Sequence, residues 1–196
     1  MSIYPFARSI VAGILKPTYR IKVEGLDNFP KEGGVLLCTN HISNFDPPVV
    51  GVTAPRKVFF MAKAELFKVP ILKDLLKNFG TFPVNRGGSD REALRVGLKI
   101  LKEGNVLGFF PEGTRSKDGE LGKGQAGAGF FALRSTAAVV PCAIIGPYKP
   151  FKTLKVVYGK PINMTDYREQ KIATDEMSNI IMNEIGKLKT KAQAPV

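Results

Sequence analysis

At 196 residues the chain has single-domain length, enough for one hydrophobic core and too little for two independent ones. Hydrophobic residues at 44% and charged residues at 23%, with 20 Gly and 14 Pro, exclude a disordered, collagen-like or repetitive chain. Lys and Arg outnumber Asp and Glu by 29 to 17, a net charge of +12, so the natural partners are polyanions: nucleic acid, acidic protein, phosphorylated metabolites or anionic lipid.

Residues 1–18 read as an amphipathic, membrane-contacting helix. Ile3, Ala7, Ile10 and Ile14 form its stripe, thickened by Phe6, Val11 and Leu15, with Arg8, Lys16 and Arg20 free to snorkel toward headgroups. The segment has no initial basic region and no uninterrupted apolar block, so no cleaved secretion signal is expected. Residues 19–190 form the folded domain and 191–196 a flexible tail. Strands are predicted at Arg20–Val23, Gly34–Thr39, Lys57–Ala62, Gly80–Val84, Val106–Pro111, Ala138–Ile145 and Leu154–Tyr158, several of them apolar on both faces as central strands are. Leu66–Phe79 repeats the mixture of apolar and basic residues, with Lys68, Lys73 and Lys77 among large aliphatic and aromatic side chains. A helix starts at the capping box Ser89-Asp-Arg-Glu92, buries Leu94, Leu98 and Leu101, and ends near Gly104. Another runs from Thr174 to Leu188 with Met177, Ile181, Ile185 and Leu188 on one face. Strand-length apolar runs alternating with helical segments give an α/β domain: one central, mostly parallel or mixed sheet flanked by helices.

The longest charge-free stretch, Ser135–Tyr148, contains Pro141, Gly146 and Pro147 and is shorter than the roughly 20 residues of a bilayer-spanning helix, so no transmembrane span is expected. Cys38 and Cys142 sit in apolar, strand-like runs far apart, which reads as reduced core residues facing the cytosol rather than a disulfide or metal site.

His41 is the single histidine, in Asn40-His-Ile-Ser-Asn-Phe-Asp46 directly after a predicted strand. Loops at strand ends are where α/β proteins place ligands, and Asp46 can fold back onto Nδ1 and leave Nε2 as a base. Alone, the pair reads more readily as a structural contact than a catalytic one, with Asp46 a helix cap ahead of Pro47. Two further strand ends carry basic loops: Gly80-Thr-Phe-Pro-Val-Asn-Arg86 and Phe109-Phe-Pro-Glu-Gly-Thr-Arg115. Arg86 precedes the capped helix, so a guanidinium and a helix N-terminus share one space, an anion site to which Arg115 adds a second fork. The alternative is that each arginine ties loops together through Glu112 or Asp90.

In these blocks the chain resembles the glycerolipid acyltransferases, the family that includes the 1-acylglycerol-3-phosphate acyltransferases. Asn-His-x-x-x-x-Asp matches Asn40, His41 and Asp46; Gly-x-x-Phe-x-x-Arg is similar to Gly80–Arg86, with Phe82 one place early. Phe-Pro-Glu-Gly-Thr-Arg-Ser matches Phe110–Ser116, and Val-Pro followed by small apolar residues matches Val140–Ile144, with Cys142 where Val is more usual. The resemblance implies transfer of a fatty acyl group from a thioester to the free hydroxyl of lysophosphatidate, with His41 as general base, Asp46 holding its tautomer, and no acyl-enzyme. It further implies that Arg86, Glu112, Gly113, Thr114 and Arg115 hold the acceptor, with Glu112 alternatively orienting Arg115, and that Lys63 faces the oxyanion or the carrier, the alternative being an ordinary solvated surface lysine.

No cofactor or metal is called for. The implied partners are acyl-CoA or acyl-acyl carrier protein, lysophosphatidate and an anionic membrane surface, with the protein on the cytoplasmic face of the cell membrane and no nucleic acid bound. The competing readings are acylation of glycerol 3-phosphate or another lysolipid, a thioester hydrolase, and a non-enzymatic polyanion binder. The last lacks a basic block, zinc-ligand spacing or an RNP-type aromatic motif.

Overall fold

The computed structural model describes residues 4–85 and 90–193, apart from the side chains of Ile71 and Leu72. In chain order the elements are α1 (Tyr4–Tyr19), β1 (Ile21–Glu24), β2 (Val35–Thr39), α2 (Asp46–Thr53), β3 (Val58–Lys63), α3 (Pro70–Asn78), β4 (Thr81–Val84), α4 (Arg91–Lys102), β5 (Val106–Phe109), α5 (Ala126–Arg134), β6 (Ala138–Ile145), β7 (Leu154–Tyr158), α6 (Thr165–Glu169) and α7 (Thr174–Gln193). Short 3-10 turns occupy Leu26–Asn28 and Ala64–Lys68. The strands form one seven-stranded sheet, β1-β7-β6-β2-β5-β3-β4. Pairing is parallel from β6 through β4; β6 and β7 meet antiparallel, and β1 runs with β7. The C-terminal ends of β2, β3, β4, β5 and β6 therefore share one sheet edge.

Two helical layers cover the sheet, so β2 is buried along its whole length. On one face Val35, Leu37, Val140, Cys142 and Ile144 pack with Val49, Val50 and Val52 of α2 and Leu15 of α1. On the other, Leu36, Cys38, Val139 and Ala143 pack with Ile100 and Leu101 of α4, Phe131 of α5, and Met177, Ile181 and Ile185 of α7. α5 and α7 approach so closely that a Cβ on Gly129 would lie 1.9 Å from the Thr174 carbonyl oxygen.

Four details differ from the sequence expectations. The α4 cap is Asp90, whose carboxylate accepts the Ala93 amide at 3.0 Å; Ser89 lies outside the described residues. The buried face of α4 is Ala93, Gly97, Ile100 and Leu101, with Leu94 and Leu98 at its margin. The bare Gly97 backbone admits the Phe131 ring, which an added Cβ would meet at 2.6 Å, and this turns the helix toward α5. α7 continues past Leu188 to Gln193, where Lys155 Nζ donates to the Ala192 carbonyl at 2.8 Å and satisfies an otherwise unpaired C-terminal acceptor.

The fourth concerns α1. Arg8 does not snorkel outward: it donates to the carbonyls of Gly51 (3.1 Å), Val52 (3.1 Å) and Ala54 (2.8 Å) at the C-terminal end of α2. The apolar residues of the helix consequently divide. Val11, Ala12 and Leu15 join the core, while Phe6, Ile10 and Ile14 remain 70, 50 and 61% exposed. Residues 64–78 divide too, into a 3-10 turn and α3 on either side of Val69, with Leu66, Val69 and Leu75 exposed. Tyr4 of α1 meets Phe79 at the end of α3 edge-on, with ring centroids 6.0 Å apart. Among the described residues no helix is long and apolar enough to cross a membrane.

Candidate active site

β2 lies between β5 and β6, and the loop after it is clamped to both neighbours. Asn40 is buried and pairs with both main-chain groups of Ile144 on β6, accepting its amide at 2.8 Å and donating to its carbonyl at 3.0 Å. The next residue is tied toward β5: the His41 amide donates to Glu112 Oε1 at 2.8 Å, and the His41 carbonyl accepts the Ser116 amide at 2.8 Å. With its main chain held on both sides, the His41 ring stacks on Phe110, centroids 4.1 Å apart at 25°.

Asp46 begins α2, where helix formation folds the chain back toward His41. Its carboxylate is fully buried, and Oδ2 lies 2.7 Å from His41 Nδ1 while accepting the Ile42 and Ser43 amides, each at 2.7 Å. Oδ1 accepts the Tyr148 hydroxyl at 2.6 Å. Amides can only donate, so the carboxylate is wholly an acceptor and His41 Nδ1 must supply the proton between them. In the neutral ring this leaves the lone pair on Nε2, which makes no hydrogen bond among the described residues and belongs to a side chain that remains 15% exposed.

The Phe110–Ser116 loop closes the other side. Glu112 is buried, and its second oxygen accepts the Gly122 amide at 3.0 Å. Gly113 takes φ +69°, a left-handed turn that a side chain would strain. Thr114 and Arg115 are exposed beyond it, and Arg115 makes no hydrogen bond or ion pair among the described residues. The loop is anchored further on, where Lys189 of α7 donates to the Gly119 carbonyl at 2.7 Å.

An imidazole with one nitrogen free of hydrogen bonds, a buried carboxylate on the other and an exposed guanidinium in a neighbouring loop form an arrangement able to accept a hydroxyl proton beside an anion. The family model for Acyltransferase matches residues 20–145, which contain His41, Asp46 and Arg115. The chain belongs to the acyltransferase family.

This acyltransferase is 32% identical over 172 residues to the 1-acyl-sn-glycerol-3-phosphate acyltransferase of Bacillus subtilis, covering 84% of each chain. It is 33% identical over 177 residues to a chloroplastic 1-acyl-sn-glycerol-3-phosphate acyltransferase of Arabidopsis thaliana, covering 83% of this chain but 46% of the plant protein. Its fold is shared with the crystal structure of PlsC, the 1-acyl-sn-glycerophosphate acyltransferase of Thermotoga maritima, at TM-score 0.74 and 21% identity over 98% of this chain and 79% of that one.

The expected site residues are therefore spread unevenly over the acyltransferase. His41 and Asp46 meet directly, and Glu112 joins them through the His41 amide. Lys63 ends β3, beyond β5 on the same edge, and is exposed. Arg86 lies outside the described residues; Asn85, just before it, donates its amide to Asp90 at 2.8 Å. The Ala93 and Asn85 amides hold the Asp90 carboxyl below its ordinary range. Three contributors escaped the sequence reading: Tyr148, Phe110 as the surface under the imidazole, and Asn40 as the clamp. For Tyr148 the available signal was an aromatic residue just after the Gly146-Pro147 turn that follows β6.

Proposed function

We propose that this acyltransferase moves a fatty acyl group from a thioester, carried on coenzyme A or acyl carrier protein, to the free hydroxyl of lysophosphatidate, forming phosphatidate at a membrane surface. The observation that carries the reading is the 2.7 Å contact of His41 Nδ1 with a buried, fully hydrogen-bonded Asp46, which leaves Nε2 free. The names of the bacterial and plant relatives supply the acceptor class.

In this mechanism Nε2 removes the acceptor hydroxyl proton as the oxygen attacks the thioester carbonyl. The tetrahedral oxyanion collapses, the carbon–sulfur bond breaks, and the imidazolium returns the proton to the departing thiolate. Asp46 stabilises the imidazolium while it exists. Direct transfer without an acyl-enzyme is favoured by the state of the cysteines: Cys142 is buried and its thiol is pushed up to about 12, and burial raises Cys38 as well. Arg115 and Arg86, with Gly113 and Thr114, take the acceptor phosphate, and Glu112 fixes that loop against His41. Lys63 serves the oxyanion or the phosphorylated carrier. The exposed Phe6, Ile10 and Ile14 of α1, with Leu66, Val69 and Leu75 beside Lys68, Lys73 and Lys77, rest on anionic lipid at the cytoplasmic face.

The test is a matrix of acyl-CoA and acyl-acyl carrier protein against lysophosphatidate, glycerol 3-phosphate and neutral lysolipids, assayed on vesicles with product identification. Phosphatidate as the main product supports the proposal. Preferential acylation of another acceptor, or release of free fatty acid alone, overturns it.

A further inference from the structure

We propose that Tyr148 is a positioning residue for acyl transfer, acting through Asp46: its hydroxyl holds the carboxylate in the orientation and hydrogen-bonded form that His41 requires. The proposal rests on the reading of His41 as the base.

The four bonds to Asp46 are unequally divided. Three converge on Oδ2, and the Tyr148 hydroxyl at 2.6 Å is the partner of Oδ1, a separation in the range of charge-assisted O–H···O bonds. Asp46 is entirely buried, so without the phenol Oδ1 is an acceptor cut off from water.

The phenol is aimed from two directions. Gly146 takes φ +119°, and a Cβ there would lie 2.6 Å from the Thr153 carbonyl oxygen, so a turn open only to glycine brings residue 148 back toward the first turn of α2. The Tyr148 ring then packs edge-on against Tyr19 at the end of α1, centroids 5.3 Å apart, and lies 6.2 Å from Phe45. Burial and the neighbouring Asp46 charge raise the Tyr148 phenol above its ordinary range, which keeps it a donor through neutral pH.

The direction of the effect follows from linkage. The phenol donates to the carboxylate form and so opposes uptake of a proton by the His41–Asp46 pair. Its removal raises the pH at which the pair is protonated, and activity is lost sooner on acidification. Among the described residues, Cys142 from β6 and Glu112 from the loop after β5 also lie beside the pair, and Tyr19 from α1 lies beside Tyr148. Cys142 stays neutral in this range, and Glu112 is held by two amides.

The experiment measures kcat/KM against pH for the full-length protein on lysophosphatidate vesicles. Tyr148→Phe is expected to move the acid limb up by about one pH unit, with the KM for both substrates unchanged. In an Asp46→Asn background the same substitution should add no further loss, because its effect runs through the carboxylate. Replacing Tyr148 by 3-fluorotyrosine, a more acidic donor of nearly the same shape, should move the limb down, and this variant decides the matter if Tyr148→Phe fails to fold. Profiles that superimpose on wild type, or a full multiplicative loss in the double variant, overturn the proposal. Wild-type turnover in His41→Ala would instead overturn the base itself, whereas an inactive His41→Ala beside an unmoved Tyr148→Phe profile removes only the role of Tyr148.

Discussion

Glu112 holds His41 by its main chain, not by its ring: the carboxylate accepts the His41 amide at 2.8 Å and the Gly122 amide at 3.0 Å. Glu112→Ala strands both amides and loosens the Phe110–Ser116 loop. Urea unfolding should show a loss of about 1.5–3 kcal/mol, the range for hydrogen bonds to charged groups. Initial rates should fall further than for Glu112→Gln, which retains one acceptor.

His41→Ala should lower turnover by about 10²–10⁴-fold, the usual contribution of a general base. The protein should still fold, because Asp46 keeps the Ile42, Ser43 and Tyr148 donors and the lost ring is partly exposed, but its thermal transition should fall by the loss of one hydrogen bond to the buried carboxylate. Single-turnover rates paired with calorimetry separate the two effects.

Arg115 is exposed and without a partner among the described residues, so Arg115→Ala should leave stability unchanged. Loss of a charge-assisted phosphate contact should reduce kcat/KM for the acceptor by about 10- to 100-fold. Kinetics with each substrate varied in turn decide the assignment; a defect confined to the donor moves Arg115 to the other substrate.

The two sides of α1 should answer differently to substitution. Ile10→Asp with Ile14→Asp alters exposed positions and should abolish cosedimentation with anionic vesicles while the melting temperature holds. Arg8→Ala removes three hydrogen bonds to the end of α2 and should cost about 1–3 kcal/mol of stability instead.

Cys38 and Cys142 are wholly buried and their thiols are raised. Neither should react with iodoacetamide at mildly alkaline pH until the protein unfolds. Cys142→Ala should retain turnover, measured with the thioester substrate.

The sheet was legible because its central strands are apolar on both faces and bounded by Gly, Pro and polar turns; Val35–Thr39 could be little else. Two helices were less legible. Residues 46–53 carry Pro47, Pro48 and Gly51, and residues 126–134 carry Gly127 and Gly129, compositions that local propensity reads as turn or loop. In α2 the prolines occupy the first turn, where no amide is needed, and in α5 the glycine serves helix packing. At the site, His41 and Asp46 were legible because they are five residues apart. Tyr148 was not, being 102 residues from the carboxylate it holds. Arg8 was misread for a related reason: its partners are backbone carbonyls, and these have no signature in the identity of the side chains that bear them.

β2 has a parallel neighbour on each side and a core cluster against each face, and Asn40 extends that enclosure to the residue before His41. Its amides should accordingly be among the slowest in the molecule to exchange with deuterium, opening only when the entire chain unfolds. Under rising denaturant, the alignment of the imidazole should persist until the cooperative transition, so inactivation and loss of the sheet would be recorded as a single event.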